Sequence, residues 1–188
     1  RFGLLARAAL ETRRAEGRPI DVIAIHDWHA CPAALLRDLL YADDPVIGPA
    51  AIALTLHNLA YHGWTPRDRV ADLGVGADPP AGNSWGIDLL REGILRAEMV
   101  NTVSPTYARE VLGPEMGMGL ERQLRARGAR FTGILNGLDQ DLWNPATDGK
   151  IAAPYDADDR RGKAACRADL CARVGLNPVS SSRSEHTA

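Results

Sequence analysis

Four short apolar runs recur along the chain: DVIAIH (residues 21–26), AIALTL (51–56), MVNTVS (99–104) and RFTGIL (130–135). The first two are too short and too continuously apolar for amphipathic helices, and read as strands buried in a parallel sheet. Helical patterns lie between the runs. FGLLARAALETRRAEG (2–17) puts Leu4, Leu5, Ala8 and Ala9 on one face and stops at Gly17. ACPAALLRDLLY (30–41) carries Pro32 in its first turn. PRDRVADLG (66–74) is a short helix, and GIDLLREGILRAE (86–98) aligns Ile87, Leu90 and Ile94. Ser104 and Pro105 supply the N-cap and first position of PTYAREVL, and GMGLERQLRARG (117–128) continues as helix. A last helix ends YDADDRRGKAACRADLCARVGL (155–176). Strand and helix alternating four times is the pattern of an α/β fold, a Rossmann-like parallel sheet flanked by helices.

Ligands of open parallel sheets bind beyond the carboxyl ends of the strands. All four runs end there in polar residues: His26-Asp27, His57-Asn58, Ser104 and Asn136-Gly137. Four polar ends on one rim, two bearing histidine, mark a candidate site. Each residue also has a plainer role open to it. His26 and His29 suit core or capping positions, and Asp27 suits an N-cap for the helix near Cys31. Trp28 suits packing, His57 and Asn58 suit bonds within their turn, and Asn136-Gly137 suits a tight turn with positive φ. The loop GVGADPPAGNSWG (74–86) is long enough to suggest more than connection.

Several function classes drop out. A net charge of -2 gives no general pull on nucleic acid or an acidic membrane. No run approaches the roughly 20 apolar residues of a membrane span. Three cysteines, Cys31, Cys166 and Cys171, are not in CxxC spacing; they suit a reducing cytoplasm rather than a disulfide framework or structural zinc. The motifs GxGxxG, GxxxxGK[ST], HExxH and GxSxG are all absent. His26-Asp27 is reminiscent of metal phosphohydrolases, but those place the doublet on helices, and here a strand precedes it.

The phrases HDWHA, HNLAYHG, TVSPTYAREV, GMGLERQLRARG, GILNGLDQDLWNPATD and YDADDRRGKAACRADL, in this order, resemble bacterial glycogen synthase and plant starch synthase. The resemblance covers residues 1–176 and implies part of the N-terminal catalytic domain of a two-domain GT-B glycosyltransferase. Residues 177–188, NPVSSSRSEHTA, read as a disordered Ser-rich tail unlike the family. The implied activity is transfer of glucose from ADP-glucose to the non-reducing end of an α-1,4-glucan (glycogen or starch), with retention and without metal or other cofactor. Carried over by residue, Asp27 and His57 are catalytic, His57 and Asn136 bind the donor sugar, and Trp28, His29 and Tyr61 flank the acceptor.

The resemblance also implies that the family's Lys-Thr-Gly-Gly loop would precede Arg1. The C-terminal GT-B domain with its cationic diphosphate clamp would follow Leu176, so the expected partners include that domain and the chain alone is expected to be inactive. Cys31 stands where the family usually has Gly, His62 where it has Gln, and Arg91-Glu92 where it has Lys-Ala. Two other readings remain beside this one: a non-catalytic glucan-binding module using Trp28, Tyr61 and Trp64, and a metal-dependent phosphohydrolase using His26, Asp27, His29 and His57.

Overall fold

The computed structural model describes residues 1–76 and 82–177, which fall into two compact units divided after Asn136. The first unit opens with α1 (Phe2–Glu16), closed by Gly17 in the left-handed region (φ 66°), where an L side chain would be strained. Strand β1 (Val22–His26) leads into a single helical turn, α2 (Asp27–Ala30), and then α3 (Pro32–Leu39). Next come β2 (Ala51–Leu56), a short strand β3 (Trp64–Pro66), a 3-10 turn over Arg67–Leu73 and strand β4 (Gly86–Asp88). The chain continues through α4 (Leu89–Arg96), β5 (Met99–Thr102), α5 (Pro105–Glu110), α6 (Pro114–Gly117), α7 (Glu121–Ala126) and β6 (Phe131–Gly133).

The four expected strands form one sheet in the order β1-β2-β5-β6, every neighbouring pair parallel. Their carboxyl ends therefore share one rim. The core lies where Ile52, Leu54 and Leu56 of β2, all fully buried, meet Leu35 and Leu36 of α3 and Leu90 and Ile94 of α4. Thr102 of β5, also fully buried, satisfies its hydroxyl by donating to the Leu56 carbonyl at 2.8 Å. β3 and β4 pair antiparallel as a separate ribbon.

Several local expectations need correction. α1 buries Gly3, Ala6 and Leu10, not the Leu4/Leu5/Ala8/Ala9 face; Leu4 and Leu5 are 72% and 66% exposed. Both stripes have helical spacing, and the side facing α3 decides between them. β1 is an edge strand, and among its residues only Ile25 is buried. The segment 86–98 starts as strand: Gly86–Asp88 pairs with β3, and the helix begins at Leu89. The expected helix 117–128 begins only at Glu121, because Met118 (φ 52°) and Gly119 (φ 84°) turn left-handed. Gly137 lacks the positive φ expected of an Asn-Gly turn. Residues 77–81 of the long loop and 178–188 of the expected tail lie outside the described residues.

The second unit carries α8 (Gly162–Val174), closed by left-handed Gly175. Asx turns shape the segment before it: Asp139, Asn144 and Asp156 each accept backbone amides two or three residues on. Among the described residues, no helix is long and apolar enough to cross a membrane.

Candidate active site

The β1–β2 register builds the site. His26, the last residue of β1, pairs with Thr55 of β2, so His57 stands two residues beyond that partner on the same rim. The two imidazoles meet with His26 Nδ1 3.0 Å from His57 Nε2. Their centroids are 5.3 Å apart and their planes 29° from parallel. That separation exceeds the nitrogen–nitrogen distance by close to two ring radii, so the rings meet edge to edge, nitrogen pointing at nitrogen, and are not stacked face on face.

Asp27 sits beside them with a backbone φ of 52°, a left-handed conformation that costs any non-glycine residue and is tolerated best by Asn and Asp. Its carboxylate does not cap α3, whose N-cap, Cys31, has no side-chain cap bond. Asp27 Oδ1 instead accepts the backbone amides of His57 (2.7 Å) and Asn58 (3.3 Å), tying the end of β2 to the end of β1. Asn58 Oδ1 accepts from Ala60 N at 2.8 Å, which shapes the turn as expected.

Trp28 and His29 turn toward α1. Their rings stack at 4.0 Å, and Phe2 meets both edge-on, at 5.1 and 4.8 Å. Below the indole lies Gly63 (φ 67°), where a Cβ would overlap Trp28 itself, so the chain needs glycine here for both conformation and space. The half-buried Trp28 and the 52%-exposed Trp64 border a cleft of about 260 Å³, shared with Phe2, Thr65, Arg69 and Asp72. Tyr61 is 67% exposed on the loop after β2. Asn136 lies exposed, three residues past β6 and two strands away from β2. Among the described residues, no hydrogen bond or ring contact joins Tyr61, Asn136, Trp28 or His29 to His57. The structure thus gathers His26, Asp27 and His57 tightly, with Trp28 and His29 adjoining and Asn136 farther along the rim.

Two supports were not foreseen. His62 bonds Asp88 through Nδ1 at 2.7 Å, while Asp88 Oδ1 caps α4 by accepting from Arg91 N. The Leu90 amide donates to the His62 carbonyl, pinning the far end of the 57–63 loop. Phe2 gave no signal in sequence, because its contacts depend on where α1 packs. Cys31 is buried, and burial first, then the Asp27 and Asp88 charges, push its thiol well above the ordinary range. It stays protonated, donates to the Asp27 carbonyl at 3.3 Å, and fits because its neighbour Gly93 has no side chain. No group of three or more His, Cys, Asp or Glu among the described residues is placed to hold a metal ion.

Residues 1–126 match the family model described as the starch synthase catalytic domain. The chain belongs to the starch synthase catalytic domain family. Members similar to it include glycogen synthase 1 of Geobacter sulfurreducens, 41% identical over 180 residues, and the glycogen synthase of Paracidovorax citrulli, 42% identical over 186. Each alignment takes in 94% of this chain and 36% of the relative. The catalytic domain of Arabidopsis thaliana starch synthase IV, solved bound to ADP and acarbose, superposes with a TM-score of 0.73 at 35% identity, covering 97% of this chain and 38% of that one. The parallel sheet with its flanking helices is therefore the fold of a glycosyltransferase family, and the chain spans little more than a third of the length of these relatives.

Proposed function

We propose that residues 1–176 form part of the N-terminal catalytic domain of a glycogen or starch synthase, transferring glucose from ADP-glucose to the non-reducing end of an α-1,4-glucan with retention. The observation that carries this reading is the 35%-identical match to a starch synthase solved with ADP and acarbose, a nucleotide and a sugar-like ligand. The geometry of the rim supports it. Departure of a diphosphate leaves positive charge on the sugar ring, which fixed carboxylate and dipolar groups stabilise. Asp27 spends Oδ1 on the backbone of the 57–58 turn and can turn Oδ2 toward such a ring. His57 contacts the donor glucose, and Asn136 approaches it from farther along the rim. The cleft between Trp28 and Trp64 is the proposed seat of the glucan, and His29 and Tyr61 are proposed as its further contacts.

No lysine or arginine stands among the strand-end residues 26–29, 57–58, 102–104 and 134–136, so the diphosphate needs cations from elsewhere. The C-terminal GT-B domain is their proposed source, and the cytoplasm the proposed setting. The chain alone is accordingly expected to release no ADP from ADP-glucose in the presence of glycogen.

Exchanging this chain for the aligned segment of the Geobacter sulfurreducens enzyme tests the reading. The chimera is expected to transfer glucose, and His57→Ala to lower kcat by about 10²–10³. A folded, active chimera indifferent to both His57→Ala and Asp27→Ala would overturn it.

A further inference from the structure

We propose that His26 is a positioning residue that fixes the tautomer of His57, leaving His57 Nδ1 as a hydrogen-bond acceptor for a hydroxyl of the bound sugar; this rests on the proposed contact between His57 and that sugar. The observation behind it is the edge-to-edge meeting of the two rings at 3.0 Å. Between two neutral imidazoles that line of approach holds one proton, since each ring has one N–H and one bare nitrogen. Either His57 Nε2–H donates to a bare His26 Nδ1, or His26 Nδ1–H donates to a bare His57 Nε2.

The first arrangement keeps both rings in the Nε2–H form, the tautomer a neutral histidine side chain ordinarily prefers. The second forces both into the rarer Nδ1–H form, and no other bond compensates for it among the described residues. The first therefore prevails, and the partner on one nitrogen determines what the other offers. His57 Nδ1 carries a lone pair in the ring plane and accepts. A sugar hydroxyl, which donates, satisfies it; an ether or fluorine at the same position leaves it unpaired. Asp27 supports the geometry from the backbone side, because its carboxylate holds the His57 amide at 2.7 Å and so sets where the ring starts.

Long-range ¹H–¹⁵N spectra of the ¹⁵N-labelled chain, recorded without ligand at about pH 8.5, well above the ordinary histidine pKa, read the tautomers directly. The expected result is a pyrrole-type Nε2 and a pyridine-type Nδ1 for His57, and a pyridine-type Nδ1 for His26. In His26→Phe, which keeps a ring but removes the acceptor, the two His57 shifts are expected to move toward each other as the tautomers interconvert. His26→Asn, which restores an acceptor near the Nδ1 point, is expected to return them.

Averaged His57 shifts in the unsubstituted chain, or a pyridine-type Nε2, would overturn the proposal. So would unchanged shifts in a folded His26→Phe variant. If that variant fails to fold, the unsubstituted and His26→Asn spectra decide alone. Because no substrate is present, failure of glucose transfer in the chimera leaves this result standing, and the reverse holds too.

Discussion

Asp27 concentrates three demands in one residue: a left-handed backbone, an acceptor for two amides thirty residues away, and a place at the end of β1. Substitutions separate them. Asp27→Ala is expected to cost about 2–3 kcal/mol, roughly 1–2 from the left-handed backbone and about 1 from the lost charged acceptor. Asp27→Asn keeps an acceptor and tolerates the backbone, so about 1 kcal/mol or less is expected. Urea-unfolding midpoints check the order; Ala as stable as Asn would show that the conformation is not strained.

At this scale the sequence was only partly legible. That Asp27 and His57 belong near one rim followed from their strand ends. That Asp27 is a tie between strands and not a helix cap did not, because its partner amides come from a distant segment whose register sequence alone leaves open. The His26–His57 bond stayed hidden for the same reason.

Among the elements, β2 is anchored at its amino end by one charged knot. Arg37 of α3 donates to the carbonyls of Ala50 (2.7 Å) and Arg96 (3.2 Å) and to the Glu98 carboxylate (3.0 Å), and Glu98 also accepts the Ile52 amide. Burial pushes the Glu98 pKa up, but the Ile52 amide and the Arg37 guanidinium outweigh it and hold the carboxyl below its ordinary 4.5. A depressed folded value means that the contribution is present above the unfolded pKa and fades as pH falls through the folded one. Glu98→Gln is therefore expected to lower the melting temperature near neutrality, with the gap from the parent chain closing as pH drops below about 4.5. A gap independent of pH would contradict this. Short apolar runs and the Ser104–Pro105 start announced the strands and α5 plainly; Ser104 Oγ accepts the amides of Thr106 and Tyr107 as expected. Which stripe of α1 turns inward, and where α7 begins, depended on packing and on two left-handed residues, which spacing does not encode.

For the molecule as a whole, parallel pairing was legible from alternation, since helices between strands bring every strand's carboxyl end to one rim, whereas the order β1-β2-β5-β6 was not. The open side of β1 is a different matter. Val22 is 54% exposed, and an apolar groove of about 250 Å³ runs between α1 and β1, lined by Leu5, Ala9, Leu10, Ile23 and Ala33. Among the described residues no strand pairs with that side of β1, and an open edge beside apolar surface favours association. The polar rim, by contrast, is where the sugar is proposed to bind.

Titrating the labelled chain with a maltooligosaccharide while following backbone amide shifts tests that claim directly. Shifts confined to residues 27–29, 57–61 and the vicinity of Trp64 are the expected result. Shifts that fall elsewhere, or none at saturating sugar, would contradict it.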